Sequence, residues 1–239
     1  MSAEKQYLVI FDVGTTATKT IVFDANGLVV GKAYQEYPTQ TPSPGIVEQN
    51  PEDWWMAIKT SAKKTIDLSR IDPKDVAGIG VTTQRSTVAP LDKNAEVLYP
   101  AMTWMDARSS PSADALTEQY PERGIIFRCL PKILWLKDNL PSIFKKAYKF
   151  ITVDAYVYHK LTGNFVSDLT NSAYGLLDVK RLKWSDELSD ATKIPIEKFP
   201  SPLSSGKIAG ELLPEAASEV GLAAGTPVVM GVEISNARY

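Results

Sequence analysis

A strand that runs into a carboxylate and a Gly-Thr-Thr turn constrains this chain more than any other feature. The apolar run Tyr7-Leu8-Val9-Ile10-Phe11 predicts a buried strand, closed by Asp12-Val13-Gly14-Thr15-Thr16. Lys19-Thr20-Ile21-Val22-Phe23-Asp24 predicts a second strand, and the Asn26-Gly27 turn joins it to a third over Leu28–Tyr34. The stretch from Asp12 to Lys19 is therefore a hairpin tip. Backbone N–H groups of Gly14, Thr15 and Thr16, with the Thr hydroxyls, can bind phosphoryl oxygens there; Asp12 can hold a hydrated Mg²⁺, and Lys19 adds positive charge. A Walker loop is built differently, since its Gly-rich turn opens a helix. The same residues also fit an ordinary hairpin with a polar turn, so the rest of the chain must decide.

Composition narrows the classes. A chain of 239 residues that is 44% hydrophobic, with a net charge of −2, can bury one sizeable core or two small ones and lacks a disorder signature. No basic field serves nucleic acid. The polar start Met1–Gln6 leads straight into a strand and no apolar run approaches membrane-spanning length, so the expectation is a cytoplasmic protein without a membrane partner. Cys129 and His159 are single, which argues against an internal disulfide, a Cys- or His-based metal site and a Ser-His-Asp triad.

Helical and strand signals then alternate. Asn50-Pro51-Glu52-Asp53 opens a helix with a capping Asn and Pro at its first position, and Trp55, Ile58, Ala62 and Ile66 form its buried stripe. Asp75–Thr83 predicts a buried strand ending at Gln84-Arg85-Ser86, with Gly78 and Gly80 implying close packing. Helices are expected near Lys132–Asp138, Ile143–Lys146 and Asp154–Leu161, the last stopped by Gly163. A short helix over Pro214–Gly221 and a strand over Thr226–Gly231 follow. This order gives an α/β domain with one sheet and a functional edge.

The Asp-x-Gly-Thr-x-x-x-Lys hairpin resembles the first phosphate motif of the actin-like ATPase fold. Gln84-Arg85-Ser86-Thr87, followed by Thr103-Trp104-Met105-Asp106-Ala107-Arg108, resembles the substrate-binding segments of the FGGY carbohydrate kinases. So do Phe127–Asn139, with Cys129 at a position where Pro, Ser or Thr is usual, and Val153-Asp154-Ala155-Tyr156 with Lys160-Leu161-Thr162-Gly163. Ser167–Ser172 and Gly225–Gly231 continue the likeness. The resemblance implies an actin-like ATPase (ribonuclease H-like) domain, a mixed sheet with flanking helices, over residues 1–231.

It also implies transfer of the ATP γ-phosphoryl to a sugar or polyol hydroxyl, with ATP and Mg²⁺ as cofactors. Asp12, Gly14, Thr15, Thr16 and Lys19 would serve the phosphates and ion; Gln84, Arg85, Trp104, Asp106 and Phe127 would hold the acceptor. Arg85 offers a planar fork of donors to paired hydroxyls, and Trp104 a flat face for a C–H surface. Ser86 stands where glycerol kinases have Glu, and Phe127 where they have a substrate-contacting Tyr, so the acceptor stays open among ketoses, pentitols and other polyols.

Where the family carries its catalytic Asp in a Gly-x-Gly-Asp-Gln stretch, this chain reads Gly231-Val232-Glu233-Ile234-Ser235. Glu233 is a candidate base one position out of step. For residues 232–239, inserting one nucleotide after Val232 in one permitted set of codons yields Gly-Val-Gly-Asp-Gln, which would make the tail a frameshifted end. The expectations are an N-terminal kinase half, inactive alone, with a separately encoded C-terminal half as partner, or a non-catalytic sugar-binding or relic domain. Self-association through an uncovered apolar face is expected in either case.

Overall fold

The computed structural model describes residues 6–121 and 127–231. The chain opens with β1 (Tyr7–Val13), β2 (Ala17–Asp24) and β3 (Val29–Glu36), then a short β4 (Glu48–Gln49) and α1 (Pro51–Ser69). After β5 (Val76–Thr83) come β6 (Ala89–Leu91), β7 (Ala101–Met102), α2 (Ser110–Gln119), α3 (Cys129–Asn139) and α4 (Pro141–Lys146). The sequence continues through β8 (Lys149–Ile151), α5 (Val153–Thr162), β9 (Val166–Asp168), α6 (Leu169–Ala173), β10 (Leu177–Asp178), β11 (Lys183–Trp184) and α7 (Asp186–Thr192). It closes with β12 (Ser201–Leu203), β13 (Ile208–Glu211), α8 (Pro214–Val220) and β14 (Pro227–Val229).

Six strands form the main sheet in the order β13-β14-β5-β1-β2-β3. β1 runs parallel to β5 and antiparallel to β2, and β5 runs parallel to β14, so the sheet is mixed. Alternation in β1 sends Val9, Phe11 and Val13 into a core where each is fully buried. There they meet Trp54 and Ile58 of α1, Tyr156 of α5 and Val220 of α8. Asn50 caps α1 as expected, its side chain accepting from the Glu52 N–H at 3.2 Å. Gly163 and Gly221, both at positive φ, end α5 and α8.

The other face of the sheet carries Leu8, Ile10 and Asp12 from β1, with Lys19 directly across from Asp12 on β2. Gly78 and Gly80 lie beside Leu8 and Ile10 in register. A Cβ on Gly80 would sit 2.7 Å from Ile10 Cδ1, whereas one on Gly78 would make ordinary contacts. The expected close packing thus holds at Gly80 alone. A second core gathers Met102, Leu130, Ile133, Phe150 and Leu176 beneath the segments that follow β5.

Candidate active site

The parallel pair β1 and β5 ends together, with Asp12 beside Thr82 and Val13 beside Thr83. The Gln84 N–H extends the pairing by donating to the Val13 carbonyl at 2.7 Å. Both strands therefore deliver polar residues to one end of the sheet, where an α/β fold places its ligands. A cavity of about 680 Å³ opens there. Asp12, Gly14 and Thr15 line one part, Thr82 to Ser86 the floor, and Trp104, Arg128 and Tyr174 the remainder.

The hairpin tip combines a closed turn with two backbone N–H groups that have no partner among the described residues. Gly14 N–H donates to the Ala17 carbonyl at 3.0 Å and closes the turn, so it is not open to phosphate. The N–H groups of Thr15 and Thr16 make no hydrogen bond among the described residues. Tyr37 braces the turn from behind: its hydroxyl donates to the Gly14 carbonyl and its N–H to the Thr16 carbonyl. Lys19 is exposed and lies outside the cavity lining, though on the same sheet face as Asp12.

Gln49 ties the tip to the floor. Its Nε2 donates to the Thr15 carbonyl at 2.7 Å and to Thr39 Oγ1 at 2.8 Å. Its Oε1 accepts from Gln84 Nε2 at 2.7 Å and from Trp54 Nε1 at 3.0 Å. Trp104 reaches the tip from the opposite side, its Nε1–H donating to Thr15 Oγ1 at 3.1 Å. Its ring remains 47% exposed, which leaves a face free for an apolar edge of a ligand.

Arg85 approaches Asp168 at 3.8 Å. Asp168 is itself held, Oδ1 accepting from the N–H groups of Thr170 and Asn171 and Oδ2 from Asn171 Nδ2. Behind it Asp154 is buried and accepts from Thr152 Oγ1, Ser167 Oγ and the Asp168 N–H. Burial and the neighbouring Asp168 carboxylate push Asp154 up to about 7, against the pull of those three donors. Ser86 adopts φ 60°, a left-handed conformation that side chains rarely take, on the cavity floor.

Two expected acceptor residues sit elsewhere. Phe127 is buried in the second core, edge-on to Tyr120 at 6.3 Å, and does not line the cavity. Asp106 is also outside the lining, because both its oxygens are engaged: Oδ2 accepts from the Val47 N–H at 2.9 Å, and the pair receives Arg108. Arg108 further donates to Glu48 at 2.6 Å and to the Tyr99 hydroxyl at 2.9 Å, and lies 4.7 Å over the Trp135 ring. The network holds the Trp104 segment against β4. Glu233 and the expected tail over 232–239 lie outside the described residues. Cys129 is buried, and burial pushes its thiol up to about 12, so it is a packing residue. His159 stacks on Phe165 at 3.9 Å, far from any catalytic use.

Sequence reading did not single out Gln49, Thr82, Thr83, Arg128 or Tyr174. The threonines were legible in principle, as polar residues at the end of a buried strand.

A Gly-Thr hairpin tip facing hydroxyl- and guanidinium-bearing residues, at the carboxyl ends of parallel strands in a mixed sheet, defines a domain of the actin-like ATPase fold. Residues 7–233 match the model of the FGGY family of carbohydrate kinases, N-terminal domain, and the chain belongs to that family. It is 32% identical over 219 residues to a glycerol kinase of Thermococcus gammatolerans, covering 86% of this chain and 44% of that one. It is 31% identical over 235 residues to a xylulose kinase of Bacillus subtilis, covering 95% and 47%. Its fold superposes on the crystal structure of a gluconate kinase from Lactobacillus acidophilus with a TM-score of 0.86 at 29% identity, covering 95% of this chain and 47% of that one. The chain thus spans about half the length of the relatives it matches.

Proposed function

We propose that this chain is the acceptor- and phosphate-binding half of an ATP-dependent kinase for a sugar or polyol. The observation that carries the reading is the convergence of the Asp12–Thr15 tip, the Gln84–Ser86 floor and Trp104 on one cavity, locked together by the Trp104–Thr15 hydrogen bond. Phosphoryl transfer relies on in-line positioning and on neutralising charge, both of which such a cavity supplies.

The residues fit Mg²⁺ and nucleotide. Asp12 is a half-buried carboxylate facing the cavity, and the Thr15 and Thr16 N–H groups are open to phosphoryl oxygens. Among the described residues no three His, Cys, Asp or Glu side chains gather. A single carboxylate acting through water therefore suits the ion, which when bound offsets charge on the phosphates. Arg85 and Gln84 hold acceptor hydroxyls, and Trp104 packs against the carbon chain. A polyol built along these lines leaves its reacting hydroxyl near the hairpin tip.

Asp12 is the sole carboxylate among the described lining residues, and its role at the ion leaves no second one to take the hydroxyl proton. Binding without unaided transfer is the expected behaviour, with any partner half supplying the rest. Calorimetry of the 239-residue chain against a panel of polyols and Mg-nucleotide tests the binding, and ADP release tests the transfer. Absence of polyol and nucleotide binding sinks the proposal. ADP release by the chain alone contradicts the expectation that transfer needs a partner half.

A further inference from the structure

The cavity wall carries a guanidinium that the acceptor reading above leaves unused. Against the one lining carboxylate, Asp12, stand two guanidinium groups, those of Arg85 and Arg128. Arg85 meets Asp168 at 3.8 Å and so has an anion of the protein's own beside it. Arg128 differs. Its side chain makes no hydrogen bond or ion pair with any described residue, although it belongs to an exposed residue at the cavity rim.

The backbone holding it is fixed. The Tyr174 carbonyl accepts from the N–H groups of Arg128, Cys129 and Leu130 at 3.4, 2.9 and 3.2 Å, which pins the start of α3 to the cavity. The Arg128 carbonyl accepts from Lys132 Nζ at 3.1 Å, and Lys132 is buried, so another cation stands behind the rim. Arg85 and Arg128 both line this cavity. The rest of the floor consists of Thr hydroxyls, the Ser86 hydroxyl and the Gln84 amide, suited to a chain of hydroxyls.

We propose that the acceptor is a polyol carrying a carboxylate, an aldonic acid, and that Arg128 is the specificity residue that binds the carboxylate. This rests on the acceptor-site reading above and adds the charge of the substrate to it. A guanidinium fork matches a carboxylate with two parallel N–H donors, and an acceptor without that anion leaves the fork to water.

The test is titration of the 239-residue chain with D-gluconate, with sorbitol as the uncharged six-carbon match, and with MgADP, in wild type and Arg128→Gln. Because Arg128 is exposed and its side chain caps nothing, thermal unfolding of the variant should match wild type and confirms that it folds. The expected result is gluconate bound about tenfold tighter than sorbitol, a preference that Arg128→Gln reduces to less than about threefold. Sorbitol and MgADP affinities should be the same in both proteins, and added salt should weaken gluconate binding while leaving sorbitol binding unchanged. Equal affinity of wild type for the two polyols overturns the inference and leaves the acceptor site standing. A preference surviving in Arg128→Gln overturns the role of Arg128. Loss of MgADP affinity in that variant, with gluconate unaffected, assigns Arg128 to the nucleotide phosphates and also overturns it. Failure of both polyols to bind wild type removes the acceptor-site reading together with this one.

Discussion

The indole N–H of Trp104 donates to the Thr15 hydroxyl at 3.1 Å, joining two residues 89 positions apart in sequence. One belongs to the phosphate hairpin and the other to the segment expected to hold the acceptor. The bond therefore fixes the distance between these two segments, the quantity on which the proposed phosphoryl transfer would depend.

Replacing Trp104 separates its two contributions. Trp104→Phe keeps a flat apolar face and loses the donor, and polyol affinity should fall about threefold. Trp104→Ala removes the face as well and should weaken binding by about tenfold or more. Titration calorimetry reads both, and unchanged affinity in Trp104→Ala would exclude it from the acceptor wall.

Asp12→Asn addresses the ion. Asp12 is half-buried and pairs with its neighbours through the backbone, so the sheet should tolerate the change. In wild type Mg²⁺ should tighten ADP binding by about tenfold, and in the variant it should have little effect. An equal Mg²⁺ response in both proteins would remove Asp12 from the ion site.

Arg108 serves stability instead of the site. It is the shared partner of Asp106, Glu48 and Tyr99, in a setting where its side chain is 11% exposed. Arg108→Met strands two carboxylates and should cost about 3–5 kcal/mol in urea unfolding. Adding Glu48→Gln and Asp106→Asn to that variant should recover part of the loss, because the stranded charges are then removed.

The contrast between these residues shows what the sequence could reveal. The hairpin and the opening of α1 were legible, because strand alternation, an Asn-Gly turn and an Asn-Pro cap are local signals. Arg108 was visible as a charged residue after Trp104, but its partner Glu48 lies 60 positions earlier, and no local pattern announces that pairing. Asp106 was read as accepting from a hydroxyl or orienting Arg85 or Arg108, and its oxygens are engaged by Arg108 and the Val47 N–H. Phe127 illustrates a different limit. The motif points to a segment that borders the cavity, yet the start of α3 turns Arg128 outward to the cavity and Phe127 inward to Tyr120. That orientation depends on the Tyr174 carbonyl, which only the folded chain brings there.

Asp154 predicts a pH dependence of stability. Its carboxyl is pushed up to about 7 in the folded protein by burial and by Asp168, so it keeps its proton where the unfolded chain has already lost it. The stabilisation from this group is therefore complete at acid pH and is lost as pH rises towards about 7. Urea unfolding of wild type and Asp154→Asn at several pH values between about 4 and 8 measures it. The stability of wild type relative to the variant should decline with rising pH, and a pH-independent difference would show that the three hydrogen-bond donors keep Asp154 ionised throughout.

Gly231, which follows β14, lies so close to the Val81 carbonyl that a Cβ there would come within 1.8 Å of it, and its N–H donates to the Tyr158 hydroxyl at 2.9 Å. It borders the small recess shared by Thr82, Arg85 and Asp168. The position is a fixed point at the edge of the sheet, held beside Arg85 by the backbone of β5 and by Tyr158. A single methyl group at 231 would have to push back the Val81 carbonyl of β5, the strand that carries Thr82 and Thr83, so the smallest side chain there would disturb the cavity floor from behind.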